Sequence, residues 1–224
     1  YNKVNFFGYV AVKLKYLLSK DRIVLYWEES GMESDMGNTL INNALVLATK
    51  IHKDQTRKGT DIPYIVHPFE VALILQENGA DEEMIAAGLL HDVLEDGELD
   101  LDYIKNEIKT KLSGRVLEYV IGASERLENR DKTPWRERKW HTIEYLKDKN
   151  TPREIKMISC ADKLSNARSL FRDLKTEGNN LWNRFNAGYE MQKKYYEGLV
   201  ESLKDLEGLK MYEEFKEVVR TIFG

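Results

Sequence analysis

One short stretch decides both the fold and the chemistry of this chain: residues 89–96 read LLHDVLED. The apolar run IAAGLL at residues 85–90 leads into it and is apolar enough to be buried. Asp92, Glu95 and Asp96 stand at positions i, i+3 and i+4, so on a helix they would share one face. Carboxylates crowded at the edge of a core repel one another and lose hydration. A divalent cation bound there would remove that conflict.

Three further segments carry side chains of the types that bind metals or phosphates. His67 ends a PYIVH stretch, Asp162 lies in an ADKLSN stretch, and residues 57–59 read RKG. Two imidazoles, His67 and His91, together with carboxylates give mixed nitrogen and oxygen ligation. That mixture suits Mn, Fe, Ni or Zn better than Ca or Mg. The sequence therefore predicts a metal site, provided that the fold brings these distant segments together.

A helical period dominates the chain from residue 38 onward. The first apolar stripe follows the i, i+3, i+4 rule and consists of Ile41, Ala44, Leu45, Ala48 and His52. His52 lies on that stripe, which favours a structural role for it over metal ligation. His141 lies among charged residues, which indicates an exposed side chain with no part in the site.

Start and stop signals divide the rest of the chain into further helices. Pro68 is typical of a first helical turn, Gly79 of a helix end, and Asp81 of an N-cap. The stretch TPRE at residues 151–154 resembles a capping box that opens a helix to about Leu170. A last long helical region is expected at residues 182–206, and no clear two-residue hairpin signal joins alternating strands. The predicted fold class is therefore all-α, a single-domain helical bundle.

Composition limits the kinds of partner. The 224 residues carry a net charge of −4, which gives no broad attraction to nucleic acid or to an anionic membrane. Cys160 is the single cysteine, so no internal disulfide forms, and a cytoplasmic location is expected. No stretch reaches the roughly 20 apolar residues of a membrane-spanning helix. We therefore expect neither nucleic acid nor membrane as a partner, and the oligomeric state stays open.

The ordered motifs resemble the HD superfamily of metal phosphohydrolases. His67, the His91–Asp92 pair and Asp162 match its H…HD…D pattern. Longer stretches resemble the hydrolase domain of RelA/SpoT proteins and stand-alone small alarmone hydrolases; they are HKDQTRKG at 52–59, PYIVHP at 63–68, LLHDVLED at 89–96 and ADKLSNAR at 161–168. An HD dipeptide alone is a weak signal, but the ordered set is specific. The resemblance covers roughly residues 38–170.

This resemblance implies an all-helical HD domain and a defined activity. Its members bind one Mn²⁺, here through His67, His91, Asp92 and Asp162, with Fe, Ni or Zn as alternatives in a purified sample. They hydrolyse the 3′-pyrophosphate of guanosine tetra- or pentaphosphate, a small nucleotide substrate, to GDP or GTP and pyrophosphate. The family's synthetase and regulatory domains have no room here, so alarmone synthesis is not expected.

The resemblance also implies roles around the metal. Glu95 and Asp96 match the residues that activate or position the attacking water. The positions that match substrate contacts are Arg57, Lys58, Asn166 and Arg168. Read without the family, Glu95 and Asp96 could end a helix in solvent, and Asn166 could orient Asp162. The loop at residues 124–132 looks longer than in the family, which leaves base and sugar specificity open.

On this interpretation the chain has two parts. Residues 1–35 are an artificial remnant, a translated upstream region or a genuine appendage, with no assigned role. Residues 36–224 form the hydrolase domain, with the metal motifs in residues 52–168 and the C-terminal helices in 182–224. Two rival functions remain: an HD phosphohydrolase for another nucleotide or a dinucleotide cofactor, and a metal- or nucleotide-binding sensor without turnover.

Overall fold

The computed structural model describes residues 16–19, 22–25, 40–95, 100–125, 132–185 and 187–224. The chain divides into two compact units, residues 1–37 and residues 38–224. In the first unit, strands β1 (Tyr16–Ser19) and β2 (Arg22–Leu25) pair antiparallel. No hairpin was expected here, because the two residues between the strands, Lys20 and Asp21, lack the glycine that marks tight hairpin turns.

The second unit is helical throughout its described secondary structure, apart from one isolated β-bridge between Thr56 and Pro63. Its helices are α1 (Leu40–Ile51), α2 (Val66–Glu77), α3 (Glu82–Leu90), α4 (Leu101–Lys111), α5 (Gly114–Ala123), α6 (Trp135–Lys147), α7 (Arg153–Glu177), α8 (Tyr189–Ser202) and α9 (Lys210–Phe223). Short 3₁₀ turns, Gly178–Arg184 and Lys204–Leu206, flank α8. The prediction of an all-α bundle is confirmed for this unit. Every helix in the described segments is too short or too polar to cross a lipid bilayer.

Helix α3 is the most deeply buried element of the bundle. All seven residues from Met84 to Leu90 are buried, and the helix packs against α1, α2 and α5. A Cβ atom added to Gly88 would lie 2.5 Å from Leu75 Cδ1, so α2 approaches α3 most closely where α3 carries no side chain. As predicted, the Asp81 carboxylate caps the helix, since Oδ1 accepts the Met84 N–H at 2.8 Å.

Helix α7 is the long element against which α2, α3, α5 and α9 pack. It runs to Glu177, beyond the predicted end near Leu170, because its buried face continues through Leu170 and polar residues extend the last two turns. The predicted capping box at its start is wrong. The Thr151 hydroxyl instead donates to the Tyr145 carbonyl oxygen at 2.5 Å, and no side chain caps α7. That bond ties the end of α6 to the start of α7.

The C-terminal part is divided more finely than predicted. The region expected as one helical stretch contains a 3₁₀ turn, α8 and a second 3₁₀ turn, and α9 follows. Met211, Phe215, Val219 and Ile222 form a buried stripe on α9, which packs on α7 and α8. Burying each such side chain contributes about 1.5–3 kcal/mol, so α9 is firmly held on α7.

We predict that Asp81→Ala lowers the free energy of unfolding by about 1 kcal/mol, because the first turn of α3 loses its side-chain acceptor. Urea denaturation followed by circular dichroism measures the change. Asp81→Asn is the matched control, since it keeps an accepting oxygen and removes only the exposed ion pair with Arg115. Equal losses in both variants would contradict the capping explanation.

Candidate metal centre

Backbone geometry before α2 positions the first histidine. Residues 55–64 form a narrow loop held by two backbone hydrogen bonds, Arg57 N–H to the Ile62 carbonyl and Tyr64 N–H to the Gln55 carbonyl. Gly59 turns the loop with a φ of +75°, a left-handed conformation that favours glycine. His67 follows in the first turn of α2. The same short segment therefore carries both the RKG turn and His67.

The His91–Asp92 pair lies just beyond the end of α3. The helix ends at Leu90, and residues 91–95 form hydrogen-bonded turns. The expectation that Asp92 and Glu95 share a helix face is therefore wrong, since the chain has left the helix by this point. The Ser124 hydroxyl lies between two carbonyl oxygens, 2.7 Å from that of Val120 and 3.0 Å from that of His91, so it links the turn to the end of α5. Asp96 lies outside the described residues.

Folding brings four side chains from α2, α7 and the turn after α3 to one point. His67 Nε2 lies 3.1 Å from Asp162 Oδ1, and His91 Nε2 lies 3.0 Å from Asp92 Oδ2. The two crossed distances, His67 to Asp92 and His91 to Asp162, are both 3.6 Å. Neighbouring ligands of an ion with bonds of about 2.1 Å lie roughly 3.0–3.4 Å apart. This donor set therefore fits one transition-metal ion.

The outer nitrogens of both imidazoles are occupied, which fixes the tautomer of each neutral ring. His91 Nδ1 donates to the Gly88 carbonyl oxygen at 2.8 Å, and His67 Nδ1 lies 2.9 Å from the Ser165 hydroxyl. The inner nitrogen of His91 is buried and faces the Asp92 and Asp162 carboxylates without an aligned hydrogen bond to either. Rings held in this way direct Nε2 lone pairs at a shared ion.

Burial and mutual charge set the protonation of the four groups. Burial lowers the pKa of His67. Burial also opposes the charged form of His91, but Asp92 and Asp162 outweigh it and raise the pKa of His91 well above its usual range. Although burial opposes their ionised forms, His91 keeps the pKa of Asp92 low, and Lys163 keeps that of Asp162 low. The two carboxylates that face His91 therefore stabilise its charged form.

Neighbouring donors orient the two carboxylates. The Tyr64 hydroxyl donates to Asp92 Oδ2 at 2.5 Å. One oxygen of Asp162 accepts a hydrogen bond from Lys163 Nζ at 2.6 Å, and the other accepts one from Asn166 Nδ2 at 2.5 Å. Tyr64 and Lys163 were not singled out from the sequence, although each lies inside a quoted motif close to a ligand.

Glu95 is held by a residue of the loop that follows α5. Its Oε1 accepts the backbone N–H of Glu125 at 2.8 Å. Glu125 is itself buried and ion-paired with Lys139 at 2.9 Å and Arg138 at 3.3 Å. Burial opposes the charged form of Lys163, but Asp162 above all, and Glu95 to a lesser extent, raise its pKa. Glu95 thus ends the same turn that carries His91 and Asp92, with one oxygen fixed by the Glu125 N–H.

The structure brings only some of the four predicted substrate-binding residues to the predicted metal ligands. The Arg57 guanidinium donates to Asn166 Oδ1 at 2.7 Å, and Asn166 bonds Asp162, so these two adjoin the ligands. Lys58 lies over the Phe185 ring, with Nζ 5.7 Å from the ring centre. Arg168 is not brought to the ligands; its guanidinium pairs with carboxylates on α2 and α9.

Two histidines lie outside the ligand set. His52 Nδ1 bonds Gln55 Oε1 at 2.8 Å, and the His52 ring lies 4.8 Å from the Tyr64 ring. This places His52 behind the tyrosine that supports Asp92. His141 is exposed on α6. Both locations agree with the structural interpretation of these side chains made from the sequence.

Curated relatives are similar over part of their length. The chain is 38% identical over 137 residues to a guanosine-3′,5′-bis(diphosphate) 3′-pyrophosphohydrolase of Aquifex aeolicus, covering 60% of this chain and 18% of that protein. The chain spans less than a fifth of the length of the first curated relatives that it matches.

Two solved structures share the fold. A crystal structure of lmo0812 from Listeria monocytogenes EGD-e is 34% identical, with a TM-score of 0.61, and covers 70% of this chain and 98% of that one. A metazoan orthologue of SpoT, described as hydrolysing ppGpp, is 24% identical with a TM-score of 0.62, covering 81% of this chain and 94% of that one.

The HD domain family matches residues 44–189, a span that contains all four predicted metal-binding positions. The match confirms the resemblance predicted from the ordered motifs. Because an HD hydrolase domain uses a divalent metal, the family also agrees with the ligand geometry of His67, His91 and Asp162. With more than half of the chain matched, this protein belongs to the HD domain family.

Proposed function

We propose that this chain is a metal-dependent phosphohydrolase that cleaves the 3′-pyrophosphate of guanosine tetra- and pentaphosphate. The observation that carries the proposal is the convergence of His67, His91, Asp92 and Asp162, with Glu95 at the end of the turn that carries two of them. The name of the Aquifex aeolicus relative supports the choice of substrate. The lone cysteine, Cys160, is buried, which suits work in the reducing cytoplasm.

The proposed metal is Mn²⁺, because two imidazoles and two carboxylates suit it and neutralise its charge. Bound by these ligands, the ion supplies Lewis acidity and lowers the pKa of water toward neutrality. The chain's contribution is a set of ligands oriented in advance. Tyr64, Lys163 and Asn166 hold the carboxylates, while Gly88 and Ser165 hold the imidazoles.

Glu95 and Asp96 are proposed as the groups that take a proton from the attacking water and position it. One Glu95 oxygen is engaged by the Glu125 N–H, which fixes the carboxylate. In the reaction, the water oxygen bonds to phosphorus, the bond to the 3′ oxygen breaks, and that oxygen leaves with a proton. The products are GDP or GTP and pyrophosphate.

Arg57, Lys58 and Asn166 are proposed to bind the nucleotide. Arg57 is ordered by Asn166, and Lys58 lies on the adjacent turn. Local cations of this kind explain how a protein with a net charge of −4 could bind an anionic substrate. Because Asn166 bonds both Arg57 and Asp162, the proposed nucleotide site directly adjoins a metal ligand.

With Mn²⁺ present, we expect release of pyrophosphate from guanosine tetraphosphate, and we expect a chelator to abolish it. His91→Ala should be inactive, because the ion loses one of four ligands. Chromatography of the products across a panel of nucleotides and dinucleotide cofactors measures both results. His141→Ala is the matched control, since that histidine is exposed on α6 and should leave the activity unchanged.

Other outcomes separate the alternatives. Orthophosphate release from other nucleotides, or cleavage of a dinucleotide cofactor alone, would replace the proposed substrate but keep the metal centre. Tight nucleotide binding without turnover would favour the sensor module. Equal activity in chelator-treated, metal-free protein would defeat the metal mechanism itself.

Metal binding should release about one proton per ion near neutral pH, because the imidazole that gains a metal must lose its proton. The pKa of His91 is raised well above its usual range, so His91 starts protonated, whereas the pKa of His67 is lowered and that ring starts neutral. Mn²⁺ affinity should therefore fall as the pH falls. Calorimetry in two buffers of different ionisation enthalpy counts the protons. Release of none, or of two, would contradict this assignment.

Replacing Arg57 should weaken substrate binding more than metal binding. For Arg57→Gln we expect KM to rise about 10-fold or more, since a charged hydrogen bond contributes roughly 1.5–3 kcal/mol. Lys53→Gln is the control, because it removes one exposed positive charge from the preceding turn. Steady-state kinetics at saturating Mn²⁺ compares them, and equal KM values would remove Arg57 from the nucleotide site.

A further inference from the structure

The hydrogen bond to His67 has a defined direction. The Ser165 hydroxyl lies 2.9 Å from His67 Nδ1 and donates its single hydrogen to Glu70 Oε2, also at 2.9 Å. Its oxygen must therefore accept from His67, which places the ring proton on Nδ1 and leaves Nε2 bare. Glu70 thus determines, through Ser165, which nitrogen of the neutral His67 ring carries the proton.

Glu70 is held in turn by an arginine. Its second oxygen, Oε1, accepts from Arg168 NH1 at 3.2 Å. Arg172, the next arginine along α7, is 4.0 Å from Oε2 and largely exposed, too far for a hydrogen bond. Arg168 is therefore the cation that fixes Glu70 in this orientation.

The remaining donors of Arg168 bind the C-terminal helix. Arg168 Nε and NH2 donate to the two oxygens of Glu214 at 2.6 and 2.7 Å, a bidentate pair that aligns the planar guanidinium. Glu214 lies on α9, whose apolar stripe packs on α7 and α8. Three nitrogens of Arg168 thus donate hydrogen bonds to two carboxylates. This arrangement favours a role for Arg168 in positioning other side chains over a role in binding the substrate.

We propose that Arg168 and Glu214 are positioning residues for the metal ligand His67, acting through Glu70 and Ser165. The contacts run from α9 through α7 to α2 and end at the ligand nitrogen. The C-terminal helix thereby helps to orient the metal centre. This inference rests on the proposed metal centre and adds residues to it that do not touch the ion.

The test is Mn²⁺ affinity of the intact chain, measured by calorimetry on metal-stripped protein. Loss of an outer hydrogen bond to a ligand typically costs 10–100-fold in metal affinity, so we expect Ser165→Ala to lose about 10-fold or more. Arg168→Gln and Glu214→Gln lie further from the ligand and should lose roughly 3- to 10-fold, at or below the low end of that range.

A double variant separates positioning from general stability. In a Ser165→Ala background the contacts to His67 are already broken, so adding Glu214→Gln should weaken Mn²⁺ binding no further. The matched control is Asp205→Asn. It removes an exposed carboxylate that also pairs with α7, through Lys156 Nζ at 2.6 Å, but has no path to a ligand. Its Mn²⁺ affinity should equal that of the wild type.

The outcomes are distinguishable. If the wild type binds no Mn²⁺, the proposed metal centre fails. If the wild type binds Mn²⁺ and Glu214→Gln binds it equally well, the positioning role alone is overturned. Equal losses for Glu214→Gln and Asp205→Asn, or additive losses in the double variant, would also overturn it. Should Arg168→Gln not fold, the exposed Glu214→Gln variant still decides the question.

Discussion

The structure depends on a buried meeting point of two carboxylates and two imidazoles. Like charges in a medium of low polarity repel strongly, and each also loses its hydration. Asp92 and Asp162 tolerate this because a positive charge, either the proton of His91 or a metal ion, stands between them. Tyr64 also donates to the Asp92 oxygen that faces the histidines, and Lys163 donates to the outer oxygen of Asp162. The helices around the site must therefore hold it rigidly, and they have tightly packed apolar faces.

Much of this centre could be predicted from the sequence, because ligand types and helix signals are local properties. The positions of His67, His91, Asp92 and Asp162 followed from ordered motifs, and the N-cap at Asp81 from one residue in context. The failures concern choices between competing partners. Thr151 had a capping sequence but bonds the Tyr145 carbonyl, and the turn at residues 91–95 replaced an expected helical face.

The partners of polar side chains are set by packing between distant elements, which spacing does not reveal. Arg168 has the residue type and motif position of a phosphate ligand, yet Glu70 and Glu214 take its donors once α9 lies on α7. Asn166, in contrast, donates to Asp162 and orients it, as one interpretation of the sequence predicted. Asn166 also accepts a hydrogen bond from the Arg57 guanidinium. Helix α7 therefore carries Asp162 and the Asn166 contact to Arg57 on one side and the α9 contacts of Arg168 on the other.

The missing side chain at Gly88 has a consequence for the spacing of the two imidazoles. It lets Leu75 of α2 lie against α3, and the Gly88 carbonyl is the group that holds the His91 ring. Since His67 begins α2 and His91 follows α3, the gap between these two helix axes governs the separation of the imidazoles. Core packing at one small residue thus helps to set the distance between the two imidazoles, although that residue has no side chain of its own in the site.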